Sequence, residues 1–305
     1  MSNTKKTAIG VDIGGTHITT ALIDLENGNV LPGTKVRETV DANADADRIL
    51  ESWYAAIDKT RKQSPAETRR VGFAMPGPFD YENGVSLIRN LHKYDALYGL
   101  NIKELLSDRL GIDSAGIIMR NDTEAFLEGE RMSGAAQGYA KAIGITMGTG
   151  LGSAKSAGGI TLDVNLGSSP FHDSIADDYL STRWFVKRYR ECCGDTINGV
   201  KELLELREGP NKESIAMILE EFHHNLALFL RGFIAAEAPD VVVIGGNIAG
   251  AYELFYPPLL QLLNGHSGAA VFEKAQLGED AALIGAVSHW IIKNKPEKNE
   301  SAAIR

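Results

Sequence analysis

The sequence predicts an α/β protein made of two related units with a cleft between them. Two stretches carry this prediction, because each is a short apolar run followed by a glycine-rich turn and a second apolar run. They begin at Ala8 and Ala142, 134 residues apart, and both read Ala-Ile-Gly with a glycine at the matching turn position, Gly14 and Gly148. This spacing is far longer than the roughly 20–50 residues of a solenoid repeat, so it indicates a duplicated domain.

The first stretch combines a strand over 7–13, a turn over 14–16 and a second strand over 18–24. Glycines leave the backbone of this turn bare, so an anionic group can approach its N–H donors closely. Asp12 lies where the first strand ends, and a carboxylate there is well placed to hold Mg²⁺ directly or through water. An ordinary Gly-Gly hairpin with a surface Asp is the alternative explanation.

The second stretch predicts strands over 142–147 and 152–157 around a turn over 148–150. It carries Thr146 where the first stretch carries Asp12. One carboxylate is enough for a metal ion, and a second would repel the phosphate groups that such turns accept.

Strand and helix patterns alternate through both halves, which is typical of an α/β fold. After the opening hairpin, the first half predicts strands at 30–39, 70–75, 85–88 and 115–119 and helices at 45–62, 102–110 and 123–132. The second half predicts a loop at 158–172, helices at 174–191, 197–207, 213–237, 250–263 and 279–293, and strands at 240–244 and 269–273. The expected domains are 1–121 plus 279–294 and 122–278, with 295–305 as a frayed tail.

Polar residues and a rigid loop follow two of the predicted strands. Asn121 and Asp122 come after one strand, and ligands of open α/β sheets bind at such carboxyl ends. The alternative is that either residue only caps the helix that follows. Pro76 and Pro78 flank Gly77 after the other strand and make a rigid loop that can form the wall of a pocket.

Composition limits the functional classes. The 305 residues are 44% apolar and 23% charged, which is typical of a globular protein. A net charge of −9 without a long basic run argues against nucleic-acid and membrane binding. The polar first residues and the lack of a long apolar stretch predict a cytoplasmic protein. Cys192 and Cys193 are adjacent and belong to no Cys/His cluster, so we expect reduced thiols and no zinc site.

Several motifs, taken in order, resemble those of the ROK (repressor, open reading frame, kinase) family of sugar kinases. Asp12-Ile-Gly-Gly-Thr16 is similar to the first phosphate motif of that family, and Gly148-Thr-Gly-Leu-Gly152 to the second. Further resemblances are Pro76-Gly-Pro78 and Arg89-Asn90-Leu91 to the sugar-side loops, Asn121-Asp122 to the catalytic motif, and Val241-Val-Val-Ile-Gly-Gly-Asn247 to the adenosine motif.

The resemblance implies the actin/hexokinase-like (ribonuclease H-like) fold, ATP and Mg²⁺ as cofactors, a small-molecule sugar as substrate, and a homodimer. It also implies that Asp122 is the general base, which takes the proton of a sugar hydroxyl as that oxygen attacks the γ-phosphoryl group. The implied nucleotide-binding residues are Asp12, Gly14, Gly15, Thr16, Gly148, Thr149, Gly150, Gly245, Gly246 and Asn247. The implied sugar-binding residues are Pro76, Gly77, Asn90, Asn121, Asp122 and His172.

One region departs from the family pattern. The family carries Glu-x-Gly-His after the second phosphate motif and then a zinc-binding cysteine loop, whereas this chain reads Leu166-Gly-Ser-Ser-Pro-Phe-His172-Asp173. His172 is placed to stand in for the family His, but no Glu precedes it at the matching distance and the cysteine loop is absent. We therefore predict no zinc. A loop histidine without a ligand role is the alternative for His172.

The leading prediction is an ATP-dependent hexose kinase with glucose as the default sugar. N-acetylmannosamine, fructose and allose stay open, as do the hydroxyl, the preferred nucleotide and the effect of the altered loop on activity. A non-enzymatic sugar sensor of the same family is the alternative, although such members carry a helix-turn-helix domain where only about ten residues precede the first motif here. A dinucleotide-dependent oxidoreductase requires Gly-x-Gly-x-x-Gly opening a helix, and the glycines at 148–152 have a different spacing and run into a strand.

Overall fold

A computed structural model of the chain describes residues 6–64, 67–265 and 268–294. The frayed tail expected over 295–305 lies outside these residues. None of the helices within the described ranges is both long enough and apolar enough to cross a membrane. The strands are β1 (Thr7–Ile13), β2 (His17–Asp24), β3 (Asn29–Val30), β4 (Val36–Thr39), β5 (Val71–Met75), β6 (Phe79–Asp80), β7 (Val85–Ser86), β8 (Ile117–Asn121), β9 (Lys141–Met147), β10 (Leu151–Ala157), β11 (Ile160–Asp163), β12 (Pro170–Phe171), β13 (Ser174–Ile175), β14 (Val241–Gly245) and β15 (Val271–Lys274).

Side-chain caps mark the start of the first two helices. The Asp45 side chain accepts a hydrogen bond from the Arg48 N–H at the start of the first helix, and Asn101 caps the second helix in the same way. The second helix ends at Gly111, whose φ of 65° is left-handed. The α-helices are α1 (Ala46–Arg61), α2 (Ile102–Leu110), α3 (Asp122–Ser133), α4 (Thr182–Cys193), α5 (Val200–Glu205), α6 (Lys212–Glu237), α7 (Tyr252–Leu263), α8 (Asp280–Ala286) and α9 (Ser288–Asn294), and short 3₁₀ segments cover Asp95–Leu97, Ser114–Gly116, Leu166–Ser168, Ala176–Asp178 and Asn247–Ala251.

The chain divides into two compact units, Met1–Ser133 with Glu279–Arg305 and Gly134–Gly278. The first unit therefore extends beyond the boundary expected after residue 121, and the reason is the packing of α3 against α8. A Cβ added to Gly129 or Gly285 would lie only 2.0 or 1.8 Å from a carbonyl oxygen of the facing helix. Glycine at both positions lets the two backbones touch, which joins α3 to the first unit.

The first unit is built on a six-stranded sheet with the order β3-β2-β1-β5-β8, and β4 also pairs with β2. β1 runs antiparallel to β2 and parallel to β5, and β5 runs parallel to β8. The register pairs Asp12 with Ala74 and Met75 with Asn121. The carboxyl ends of β1, β5 and β8 therefore lie at one edge of the sheet.

The second unit is built on a five-stranded sheet with the order β11-β10-β9-β14-β15. β9 is antiparallel to β10 and parallel to β14, so it occupies the position that β1 has in the first sheet. α4 and α6 cover this unit with aromatic side chains, and the rings of Phe185 and Phe222 lie 4.6 Å apart between their centroids. The repeat seen in the sequence is therefore a repeat of strand order and direction.

Four sequence predictions of secondary structure are wrong. The expected loop at 158–172 contains β11, because Gly158 and Gly159 both have positive φ and form a tight hairpin turn after β10. The helix expected from 174 begins only at Thr182, after the short β12–β13 hairpin and a 3₁₀ turn. The expected strand at 30–39 is two short strands, β3 and β4, and the expected helix at 279–293 is divided into α8 and α9 at Val287.

Candidate active site

The first sheet brings together several of the residues predicted for the site. Asp12 ends β1, Pro76 and Gly77 follow β5, and Asn121 and Asp122 join β8 to α3. All of them lie at the edge where the carboxyl ends of the three strands meet, and ligands of α/β sheets bind at such an edge.

The turn between β1 and β2 presents bare backbone. Gly14, Gly15 and Thr16 are exposed, and a Cβ added to Gly15 would meet no atom within 4 Å. The ends of the turn are fixed by hydrogen bonds from the Gly14 N–H to the His17 carbonyl oxygen at 2.9 Å and from the Val40 N–H to the Thr16 carbonyl oxygen at 2.8 Å. The open space beside Gly15 is the kind of cradle into which an anion fits.

Asp12 lies beneath this turn with an unusual affinity for protons. Burial, followed by the nearby carboxylates of Asp122 and Glu279, raises its pKa from 3.8 to about 7, and Arg37 acts in the opposite direction. Arg37 donates a hydrogen bond to Glu279 at 2.5 Å. A carboxylate whose negative charge is this costly gains from a divalent cation, and oxygen ligands suit Mg²⁺.

Asn121 is a helix cap. Its Oδ1 accepts hydrogen bonds from the backbone N–H groups of Thr123 at 2.8 Å and Glu124 at 3.1 Å. The alternative reading of Asn121 therefore describes its oxygen correctly, and both lone pairs of that oxygen are used. The amide nitrogen lies 3.4 Å from the Tyr81 hydroxyl, so the N–H₂ group is the part of Asn121 that faces the site.

Asp122 is the first residue of α3, and its carboxylate accepts a hydrogen bond from the Thr123 N–H at 2.8 Å. Burial raises the pKa of Asp122, and that effect is opposed by the Thr123 N–H and by the positive charge of Lys93. A carboxyl group with a raised pKa, held in one orientation, has the proton affinity that a general base needs.

Tyr81 is a site residue that the sequence did not reveal. Its hydroxyl donates to the Met75 carbonyl oxygen at 3.1 Å and receives the long contact from Asn121. A Cβ on Gly77 would lie 3.1 Å from the same hydroxyl, so glycine at 77 leaves room for it. A single aromatic residue in a loop carries no periodic signal, and only the fold places it beside Asn121.

Asn90 lies in an exposed loop with an unusual backbone. Asn90, His92 and Tyr94 all have positive φ, of 60°, 56° and 57°. Asparagine adopts this left-handed conformation more readily than most residues, so its presence at 90 suits the loop as well as a ligand.

The second unit carries the predicted turn over 148–150 between β9 and β10. Its Gly148 N–H donates to the Gly150 carbonyl oxygen at 2.9 Å. Asp177, which the sequence did not single out, accepts a hydrogen bond from the Leu151 N–H and forms an ion pair with Arg183. A Cβ on Gly150 would lie 2.9 Å from the Asp177 Oδ1, so glycine there admits this carboxylate.

The predicted adenosine motif at the end of β14 adjoins a cavity. Gly245 pairs with Thr146 of β9, and Gly246 has a φ of 85°. A Cβ on Gly246 would lie 2.4 Å from the Met147 carbonyl oxygen, so only glycine fits there. A cavity of about 490 Å³ lies next to Asn247 and is lined by Thr182, Asn198, Gly199, Val200, Lys201, Glu202, Glu205, Asn247 and Ile248.

His172 lies in the short β12–β13 hairpin of the second unit, with a φ of 52°. Its Nε2 is 3.0 Å from the Asn225 Oδ1, and its ring packs on Phe171 and Tyr179 with centroid distances of 4.5 and 4.9 Å.

Cys192 and Cys193 are free thiols. Among the residues that the structure describes, no group of three or more His, Cys, Asp or Glu could hold a metal ion.

Comparison with known proteins identifies the family. The ROK family profile matches residues 8–170, more than half of the chain. The chain belongs to the ROK family. Glucokinase from Thermotoga maritima is 25% identical to it over 324 residues, which cover 94% of this chain and 97% of that protein. N-acetyl-D-glucosamine kinase from Mannheimia succiniciproducens is 27% identical over an alignment of 320 positions, which covers 93% of this chain and 99% of that protein.

Solved structures confirm the fold of this ROK protein. A ROK family glucokinase from Streptomyces griseus, solved in complex with glucose and AMPPNP, superposes with a TM-score of 0.76 at 22% identity and covers 93% of this chain and 98% of that chain. At this identity the superposition shows the fold alone. The expected actin/hexokinase-like fold is confirmed.

Proposed function

We propose that this ROK protein is an ATP-dependent hexose kinase with Asp122 as its general base. The observation that carries the proposal is the position of Asp122, a carboxylate with a raised pKa at the same sheet edge as the bare turn over 14–16. An acceptor base and a phosphate cradle on one edge are the two parts that phosphoryl transfer to an alcohol requires.

The proposed reaction transfers the γ-phosphoryl group of ATP to a sugar hydroxyl. The sugar hydroxyl oxygen forms a bond to the γ-phosphorus while the bond from that phosphorus to the β–γ bridging oxygen breaks. The carboxylate of Asp122 takes the hydroxyl proton, and ADP leaves with the bridging oxygen. General-base catalysis typically contributes about 10²–10⁴-fold, and aligned N–H donors contribute by stabilising charge on the transferring group.

The nucleotide would be held by glycine-rich backbone. In the first unit Gly14, Gly15 and Thr16 would bind phosphate oxygens. In the second unit Gly148, Thr149 and Gly150 would do the same, and Gly245, Gly246 and Asn247 would hold the adenosine at the adjoining cavity. Open space beside Gly15 and Gly148 would let phosphate oxygens approach the backbone, and Gly246 has the left-handed conformation that glycine adopts readily.

Mg²⁺ fits the first unit at Asp12. A buried carboxylate with a pKa of about 7 and two further carboxylates nearby is stabilised by a divalent cation. Mg²⁺ usually keeps several waters and is held by one or two carboxylates together with substrate phosphates, so a larger cluster of acidic ligands is not needed. When bound, the ion would supply positive charge to the phosphates.

The sugar would be bound by the residues on the Asp122 side of the first unit. Pro76 and Gly77 would wall the site, and Asn90 and the N–H₂ group of Asn121 would bind sugar hydroxyls. His172 of the second unit is the remaining proposed contact. Glucose is the default acceptor. An N-acetylated hexosamine is the second choice, because one curated relative is an N-acetyl-D-glucosamine kinase.

The test is ADP release with Mg²⁺-ATP across a panel of hexoses and N-acetylhexosamines. We expect a sugar-dependent rate that falls by at least about 100-fold in Asp122→Asn. Asp108→Asn, which changes an exposed carboxylate on α2, is the matched control and should keep the wild-type rate. No sugar-dependent ADP release by a wild-type protein that still binds ATP would overturn the proposal.

A further inference from the structure

Tyr94 joins the loop that carries Asn90 to the turn that carries the glycines. Its hydroxyl donates a hydrogen bond of 2.6 Å to the Gly14 carbonyl oxygen. The residue is fully buried, and its ring meets Trp53 edge-on at 5.4 Å between centroids. Its backbone N–H donates to the Ala42 carbonyl oxygen at 2.6 Å. The backbone and the ring of Tyr94 are therefore held by contacts other than the one to Gly14.

The hydrogen bond from Tyr94 to the Gly14 carbonyl oxygen also sets the direction of the Gly15 N–H. The peptide between Gly14 and Gly15 is planar, and in a trans peptide the C=O and the N–H point to opposite sides. Holding the Gly14 oxygen toward Tyr94 therefore turns the Gly15 N–H away from Tyr94. The exposed, unobstructed side of the turn lies beside Gly15.

This peptide needs such a restraint because glycines flank it on both sides. Without a Cβ at either position, a rotation of the whole peptide unit meets little steric resistance. The hydrogen bonds at the ends of the turn, from the Gly14 N–H and to the Thr16 carbonyl oxygen, fix other peptide units of the turn instead. Burial also raises the pKa of the Tyr94 phenol, so the hydroxyl stays a proton donor throughout the physiological range.

We propose that Tyr94 is a positioning residue that aims the Gly15 N–H at the phosphate groups of ATP. The inference rests on the proposed kinase function. Tyr94 touches neither sugar nor nucleotide in this scheme, and it acts only through the Gly14–Gly15 peptide. An N–H that already points at the anion costs no reorganisation on binding, which is the advantage of a preorganised donor.

The experiment compares Tyr94→Phe with Tyr252→Phe. Tyr252 is the matched control because its buried hydroxyl also donates to a backbone carbonyl oxygen, that of Phe272 at 3.2 Å. Binding of adenosine and of a non-hydrolysable ATP analogue is measured by calorimetry, and KM and kcat are measured with the best sugar. We expect Tyr94→Phe to weaken binding of the ATP analogue and to raise KM for ATP, each about tenfold, while adenosine binding is unchanged. Tyr252→Phe should change none of these three quantities.

A second measurement needs no variant. Amide hydrogen exchange at Gly15 of the wild-type protein should slow with the ATP analogue and stay unchanged with adenosine. The inference is overturned if the Gly15 amide gains no protection from exchange when the analogue binds. It is also overturned if Tyr94→Phe weakens the binding of adenosine as much as the binding of the analogue, or leaves the binding of both unchanged. Failure of the wild-type protein to bind any ATP analogue would reject the kinase proposal itself, whereas normal wild-type turnover with an unaffected Tyr94→Phe rejects only the role of Tyr94.

Discussion

The two glycine-rich turns share a backbone plan and differ in where their acidic groups lie. In the first unit Asp12 is part of the strand that leads into the turn, and the backbone beside Gly15 is open. In the second unit Thr146 takes the strand position, and an acid from elsewhere, Asp177, closes on Gly150 and bonds to the Leu151 N–H. The two units share a strand order, but the carboxylate beside the first turn is the one proposed to hold Mg²⁺, whereas the carboxylate beside the second turn is paired with Arg183.

The largest expected effect comes from giving the first turn the residue of the second. Asp12→Thr removes the carboxylate proposed to hold Mg²⁺, so we expect kcat/KM to fall by at least about 100-fold and its dependence on Mg²⁺ to weaken. Steady-state kinetics over a Mg²⁺ titration would measure both. The reverse change, Thr146→Asp, should chiefly raise KM for ATP through repulsion of phosphate. Unchanged kcat/KM in Asp12→Thr would show that the two strand positions are equivalent.

A smaller effect should distinguish the two turns when a glycine in each is replaced by alanine, because the added methyl group has different surroundings in the two turns. In Gly15→Ala the new methyl enters open space, so we expect an unchanged melting temperature and a KM for ATP raised about tenfold by the partly filled cradle. In Gly150→Ala the methyl lies 2.9 Å from the Asp177 Oδ1 and displaces it from the Leu151 N–H, so we expect the melting temperature to fall by a few degrees. Thermal unfolding and ATP kinetics of both variants check this, and a common outcome for the two would contradict it.

The smallest effect concerns pH and is confined to the first turn. The pKa of Asp12 is about 7 in the native state against 3.8 as its ordinary value, so the native state holds this proton more tightly than the unfolded chain does. Stability is therefore lost as the pH rises from about 4 to about 7, because ionising the native carboxyl is costly.

Asp12→Asn removes this cost. Without Mg²⁺, we expect the variant to melt a few degrees above the wild type near about pH 8, and the difference to vanish below about pH 4. Melting curves across this pH range in the presence of a chelator would show it. Thr146→Val is the control in the second turn and should show no such pH-dependent difference from the wild type. A constant offset between Asp12→Asn and the wild type at every pH would argue against the raised pKa.

The sequence predicted those parts of the site that are local in the chain. Both turns, Asn121 with Asp122, and the glycines at 245–246 lie at strand ends, and the strands themselves were visible as apolar runs. The fold class followed from the repeat of one of these elements. Their individual roles in binding and catalysis stay predictions.

The residues that the sequence did not reveal act over long separations. Tyr94 reaches Gly14 across 80 residues, and Asp177 reaches Leu151 across 26. Neither contact has a period or a motif, because it depends on where whole elements pack. The same reason explains why the chain divides after Ser133 and not after residue 121, since that division depends on the glycine contact between α3 and α8.

The packing of α8 has a consequence for how the protein folds during its synthesis. A Cβ on Gly10 of β1 or Gly72 of β5 would meet carbonyl oxygens of α8 at 2.3 and 2.2 Å, so this late helix lies directly on the earliest strands. During synthesis from the N-terminus, the strands of the first unit leave the ribosome long before the helix that covers them. The second unit, which is continuous in the chain, is complete earlier. We therefore expect Gly134–Gly278 to become resistant to protease on the ribosome before α8 is synthesised and the first unit can complete its fold.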